Sequence, residues 1–196
     1  MAMNKPAEST PSAATTDDSN NSGTEVFAKH ESSLEPAMFS PAAWLRFLLV
    51  AIGGLIADLW SKHAAFAFLG YGPGSKVEVV IPHILTLETT LNNGAVFGIG
   101  QGLAMLFILI SLVAMAFVVY VFMSSWRRQW IIHVALGLIL AGAMGNLYDR
   151  LFNHGRVRDF ILLTHWPFDF NLADTMLCIG VPLLIINWLF QLGGNK

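Results

Sequence analysis

LAMLFILISLVAMAFVVYVFM, residues 103–123, is a run of 21 positions without one charged side chain. A helix rising 1.5 Å per residue needs about 20 residues to cross a hydrocarbon layer of ~30 Å. This run has that length and is apolar on every side, leaving no face for water. The stretch predicts a membrane-spanning helix. Three other blocks read the same way: about Ala43 to Leu59, Trp130 to Tyr148 with His133 as its titratable group, and Thr175 to Leu192, which is uncharged and contains Asn187. The first and last are long enough if Arg46 and the aspartates lie at the interfaces, as snorkelling allows for arginine.

Composition agrees. Of 196 residues, 55% are hydrophobic and only 12% charged, about half the roughly 25% of soluble domains. Mean hydropathy is +0.58. A net charge of −2 with no basic stripe gives no reason to expect nucleic acid as a partner. The single cysteine, Cys178, excludes an intrachain disulfide framework and a Cys-rich zinc site. Placed in the fourth block, it reads as a small packing residue.

Residues 1–41 have a different composition. Pro6 to Asn21 (PAESTPSAATTDDSNN) holds no large apolar residue, so it cannot bury enough surface to offset its ordering entropy. We expect a disordered acidic tail over 1–41, carrying Glu8, Asp17, Asp18, Glu25, Glu31 and Glu35 against Lys5 and Lys29, and a membrane domain over 42–193. No basic region leads directly into an apolar one, so the tail does not read as a signal peptide.

Lys and Arg bias places the N-terminus inside only narrowly. Arg46, Arg127, Arg128 and Lys196 then fall on the inner side, with Lys62, Lys76, Arg150, Arg156 and Arg158 opposite. The acids are more asymmetric. Asp58, Glu78, Glu88, Asp149, Asp159, Asp169 and Asp174 all fall at the outer surface, a mixture of signs that suggests a site. Residues 64–102 lie at this surface too. Leu85, Leu87, Thr89 and Leu91 alternate with Thr86, Glu88 and Thr90, the period of a strand. Asn93-Gly94 supplies a turn, and Gly98, Gly100 and Gly102 suggest bends. A small sheet lying on the membrane is expected at about 64–102.

Carboxylates at a bilayer edge are costly unless paired, hydrated or useful. Asp159 and Asp174 share one surface; if they meet, both cannot ionise and one proton is shared. One carboxylate then takes a proton from water while its partner polarises a carbonyl, as in aspartic proteases. The alternative is that Asp149-Arg150 and Arg158-Asp159 are interfacial ion pairs, and spacing alone does not choose among the pairings of Asp149, Asp159, Asp169 and Asp174. In the third span Gly137, Ala141 and Gly145 recur every four residues as a ridge that admits a close neighbour. Asn146, Asp149 and Arg150 follow on one face, either as a helix end with an arginine at the headgroups or as a scaffold for the loop beyond. Asp58 and Lys62 are spaced i, i+4 and read as a salt bridge. Ser61 beside Lys62 invites a Ser–Lys protease reading, but adjacent helical residues diverge too far for easy contact. His63, His83, His133, His154 and His165 show no metal-ligand spacing. A transporter using the acid cluster is the rival class, although its charges belong near the bilayer midplane; a non-catalytic scaffold is another.

Five motifs occur in order: Asp58-Leu-Trp-Ser-Lys62, Asn92-Asn-Gly94-Ala-Val-Phe97, Gly142-Ala-Met-Gly-Asn146-Leu-Tyr-Asp149-Arg150, Val157-Arg-Asp159-Phe160 and Phe170-Asn171-Leu-Ala173-Asp174. Together they resemble bacterial lipoprotein signal peptidase, signal peptidase II, over about residues 43–192. The resemblance implies four transmembrane helices with a small periplasmic β-cradle and an inner-membrane aspartic endopeptidase. Such an enzyme cuts prolipoproteins just before a cysteine already bearing diacylglycerol. It implies Asp159 and Asp174 as the catalytic pair, supported by Asp58, Lys62, Asn92, Gly94, Asn146, Asp149, Arg150 and Asn171. It implies no metal or other cofactor, lipidated prolipoproteins and membrane lipid as partners, and cytoplasmic termini. A monomer is expected. Asp169 is an extra acid beside the site, and the acidic tail lies outside the motif set.

Overall fold

The computed structural model describes residues 35–94, 103–166 and 168–193. The expected tail over residues 1–34 and the bends at Gly98, Gly100 and Gly102 lie outside the described residues. Four helices long and apolar enough to cross a membrane are present among the described residues: α1 (Pro41–Leu69), α2 (Ala104–Ser124), α3 (Trp130–Phe152) and α4 (Leu172–Gly193). Three strands, β1 (Glu78–Ile81), β2 (Leu85–Asn92) and β3 (Val157–Leu163), form an antiparallel sheet in that order.

Each helix end has a local cause. Ser40 caps α1, its Oγ accepting from the Ala43 amide at 3.3 Å, and Pro41 follows at the first helical position, where a missing N–H costs nothing. At its other end Gly70 takes φ 78°, a left-handed value that favours glycine. The helix covers 29 residues, about 43 Å at 1.5 Å per residue, so it continues past Asp58 and Lys62 instead of ending there. The charges do not stop it because both side chains turn inward and are fully buried.

α3 is the central helix, more enclosed than the other three, and it packs chiefly on α1 and α4. The small-residue ridge explains the close approach. A Cβ added at Gly137 would meet Val50 Cβ at 2.9 Å and the Phe47 carbonyl at 3.0 Å, and one at Gly145 would strike the Asp58 carboxylate. By contrast, α2 exposes Leu109, Val113 and Phe117 every fourth residue, a stripe suited to lipid.

At the end of the bundle away from the sheet, aromatic side chains fill the core. Phe47 stacks on Phe122 at 4.3 Å, Trp44 meets Phe122 edge-on at 4.6 Å, and His133 meets it at 5.3 Å. The His133 Nε2 lies 3.1 Å from Ser125 Oγ, so this histidine is a hydrogen-bonded core residue. The expected tail boundary at residue 41 also shifts. Glu35 to Ser40 are ordered: Pro36 bridges to Trp126, Ala37 N–H donates to the Ser125 carbonyl at 2.8 Å, and Arg127 pairs with Glu35 at 3.2 Å. Arg46 adds a bond to the Arg127 carbonyl at 2.8 Å, so the turn between α2 and α3 is held by Glu35 to Ala37 of the expected tail together with Arg46 of α1.

The sheet differs from expectation in two ways. Residues 64–69 belong to α1, and the third strand comes from 157–163, the segment after α3. The β1–β2 turn falls at 82–84, with His83 at φ 63°, and the chain bends again at Asn93-Gly94 after β2. Pairing between β2 and β3 runs Asn92↔Val157, Leu91↔Arg158 and Thr90↔Asp159, then shifts register between Leu87 and Thr90. On its other side β3 is bridged by Phe170, whose N–H and carbonyl bond Ile161 at 2.9 Å each. β3 is therefore clamped between β2 and the residues that lead into α4.

Candidate active site

Asp159 lies in β3 with 1% of its surface exposed, while Asp174 is half-buried in the first turn of α4. Asn171 joins them. Its side-chain amide donates to Asp159 Oδ1 at 2.6 Å, and its side-chain oxygen accepts from the Asp174 N–H at 3.0 Å. The Asn171 N–H in turn donates to Asp174 Oδ2 at 3.2 Å. This reciprocal exchange is a capping box: residue and helix start fix each other, and two orphan amides are satisfied. One of the two acids thus sits at a helix N-terminus, where negative charge is favoured.

Each acid has one further side-chain donor. Asn92 Nδ2 reaches Asp159 Oδ2 at 3.1 Å, and Asn146 Nδ2 reaches Asp174 Oδ1 at 2.8 Å. The Asn146 oxygen accepts from Asn171 Nδ2 at 3.2 Å and from Lys62 Nζ at 3.1 Å, which fixes its amide orientation. Lys62 also pairs with Asp58 at 2.8 Å and Asp149 at 3.2 Å. Asp58 Oδ1 accepts from the Ala173 N–H at 2.8 Å, so α1 grips the start of α4 directly. Asp149 does not pair with its neighbour Arg150. It takes Arg158 through Nε at 2.9 Å and Nη2 at 2.7 Å, together with the Arg158 N–H at 3.0 Å. Arg150 instead donates to the Gly94 carbonyl at 3.1 Å and covers the Phe107 ring at 5.1 Å. The Gly94 N–H closes back onto Asn92 Oδ1 at 2.9 Å.

All ten residues singled out in the sequence converge on this one cluster. Of the two readings of Asn146, Asp149 and Arg150, the contacts favour the scaffold, and in place of the alternative ion pairs Asp149-Arg150 and Arg158-Asp159 the structure has Asp149–Arg158. Ser61 stands apart from Lys62, its hydroxyl donating to the Asp58 carbonyl at 2.9 Å. Reading by spacing missed Arg158 as the partner of Asp149. Its only signal was its place in a Val-Arg-Asp-Phe-Ile-Leu-Leu run after Gly155, whose β-rich types mark a strand.

Burial raises the carboxyl of Asp159 from an ordinary 3.8 to about 7, and the charge of Asp174 pushes in the same direction. The donors Asn92 and Asn171 and the cation Lys62 oppose this without cancelling it. Near neutral pH Asp159 accordingly still carries its proton in a substantial share of molecules. Both acids line a cleft of about 780 Å³. Its polar end carries Asn92, Asn146 and Arg150; its apolar end runs down between α2, α3 and α4 past Ile110, Ala114, Ile139, Ala143 and Leu177. Cys178 is exposed on this wall, a correction to its reading as a packing residue. Among the described residues no group of three or more His, Cys, Asp or Glu is arranged to hold a metal.

The fold and site define a four-span helical membrane protein with a coupled carboxyl pair where an apolar cleft meets a polar surface. The family described as signal peptidase (SPase) II matches residues 50–190, and the chain belongs to it. It is similar to a lipoprotein signal peptidase of Rhodopirellula baltica, 36% identical over 167 residues covering 76% of this chain and 74% of that protein. A Staphylococcus aureus lipoprotein signal peptidase is 34% identical, with 76% and 91% covered. One of Desulfitobacterium hafniense is 42% identical over 112 residues, 57% of this chain and 74% of that one. A solved bacterial membrane enzyme superposes with a TM-score of 0.70 at 34% identity, over 76% of this chain and 91% of that structure. The protein is therefore a multi-pass membrane peptidase, a hydrolase of lipoprotein processing.

Proposed function

We propose that this peptidase uses Asp159 and Asp174 as an aspartic pair to cut diacylglyceryl-modified prolipoproteins immediately before the lipidated cysteine. The observation that carries the reading is the one asparagine, Asn171, bonded to both acids at the mouth of an apolar cleft. Asp174, held by a capping box at a helix N-terminus, is the base. It accepts a proton from water while the water oxygen attacks the scissile carbonyl carbon. Asp159 gives its proton to the carbonyl oxygen, forming a tetrahedral diol. The diol collapses: the C–N bond breaks, the proton on Asp174 passes to the departing cysteine nitrogen, and a hydroxyl proton returns to Asp159. Water is consumed and the resting pair is regenerated.

Substrate enters from the lipid, its acyl chains against the apolar walls. Each CH₂ buried contributes about 0.8 kcal/mol, which makes the diacylglyceryl group a large binding handle. The supporting residues hold the pair: Asn146 orients Asp174, Asp58 and Lys62 fix the start of α4, and Asp149 and Arg150 fix the ends of β3 and β2. The site lies at the periplasmic face of the bacterial cytoplasmic membrane, with both termini cytoplasmic, and the protein works as a monomer with no metal. A transport pathway fits less well, because the Phe47, Phe122, His133 and Leu136 cluster packs the other end of the bundle. Purified protein incubated with a diacylglyceryl prolipoprotein and with its unlipidated counterpart tests the reading. Cleavage of the first alone is expected; equal cleavage of both, or of neither, overturns it.

A further inference from the structure

We propose that Asp169, bound by Thr90, is a positioning residue that holds the two catalytic carboxyls in register. The inference rests on the aspartic mechanism above and concerns a residue outside the five motifs.

Thr90 is the register partner of Asp159 across β2 and β3. Its hydroxyl donates to Asp169 Oδ2, so a bond to the loop before α4 leaves the sheet directly beside the buried acid. The three residues from Asp169 onward then each make a separate tie to the sheet. Asp169 takes Thr90, Phe170 pairs with Ile161, and Asn171 donates to Asp159. Backbone pairing of Phe170 fixes the height of the loop along β3, and Asp58 and Asn146 hold its far end against α1 and α3. The Thr90–Asp169 bond fixes its near end, because it reaches over β3 to the next strand. It lies where the β2–β3 register shifts, and register shifts beside a site serve to re-aim side chains.

Glu88 adds a second contact. Its carboxyl is raised above the ordinary 4.5 by burial and then by the charge and hydrogen bond of Asp169, which places Glu88 against the same carboxylate. Asp169 and Thr90 also line the cleft with the pair itself. Loosening the tie displaces Asn171, and with it both acids, relative to the scissile bond. Small misplacement of this kind lowers the rate of the chemical step more than it lowers binding.

The test is steady-state cleavage of a diacylglyceryl prolipoprotein by full-length variants, with thermal unfolding in detergent as the fold control. Thr90→Val and Asp169→Ala are each expected to lower kcat about tenfold with KM within twofold of the parent. The double variant should be no worse than either single one. Thr90→Ser should restore kcat, and Asp169→Asn, which keeps a carbonyl acceptor for the hydroxyl, should retain most of it. If Asp169→Ala fails to fold, Thr90→Val against Thr90→Ser still decides the matter. Unchanged kcat in Thr90→Val, losses confined to KM, or additive losses in the double variant would overturn the inference. Failure of the parent protein to cleave overturns the aspartic reading instead, so the two outcomes are distinct.

Discussion

The two halves of α3 are both enclosed by α1 and α4, yet they bury opposite chemistries. From Trp130 to Leu140 the helix packs His133, Leu136 and Ile139 against an aromatic cluster. From Ala141 to Phe152 it buries Asn146 and Asp149 and points them at Lys62, Arg158 and Asp174. Inside a membrane the first half gains from close van der Waals packing, because lipid tails are as apolar as the side chains they replace. The second half desolvates charges, which is unfavourable unless every one is paired. A fold adopted for stability alone has no use for the polar half. Its bonds hold Asp174 and the start of β3 in place, and on the proposed mechanism substitutions in the two halves should separate turnover from stability.

The largest effect belongs to the pair. Asp159→Asn and Asp174→Asn should each leave the protein folded and lower kcat by about 10³-fold, the scale of a lost general acid or base, measured by single-turnover cleavage. Either variant retaining near-parental turnover would break the contrast. Next, Lys62→Met strands the Asp58 carboxylate in a buried site, an expected loss of about 3 kcal/mol in unfolding free energy along with weaker activity. Adding Asp58→Asn should recover much of the stability. At the aromatic end, Phe122→Ala should cost about 3 kcal/mol while kcat per folded molecule stays within twofold. Smallest is Ser125→Ala, which removes the partner of His133 Nε2 and should cost about 1 kcal/mol with no change in turnover. A large kcat loss from either aromatic-end variant would show that the two halves are not separable.

The spans were legible because their signal is gross. The uncharged stretch read at 103–123 appears as a helix at 104–124. The outer end of α1 lies ten residues beyond the expected Leu59, since Asp58 and Lys62 look like a helix end in sequence and become a buried ion pair only once α3 and α4 enclose them. β2 was visible through its alternation. β3 was not, because a strand clamped on both sides and leading into a buried helix shows no clean period of two. For the site, spacing left several aspartate pairings open. The choice of Asp159 and Asp174 came from motif order, and the capping box explains why that order matters: Asn171 and Asp174 must stand three residues apart to bond each other. Arg158 stayed hidden because its partner Asp149 lies across a turn, and Cys178 because an apolar neighbourhood in sequence does not say which wall of a cleft it forms.

The central claim is that one proton is shared between the acids and is held mainly on Asp159. The pH dependence of kcat/KM on a lipidated prolipoprotein tests it most directly, since that profile reports the free enzyme's essential acid and base. With Asp159 raised from 3.8 to about 7, the required proton is present at mildly acid pH and lost above neutrality. Activity should fall about tenfold per pH unit beyond about 7, with an apparent pKa belonging to the pair. The same raised value makes the folded state lose stability as pH climbs from about 4 through 7, a slope that Asp159→Asn should remove. A profile flat from pH 6 to 9 would contradict the account.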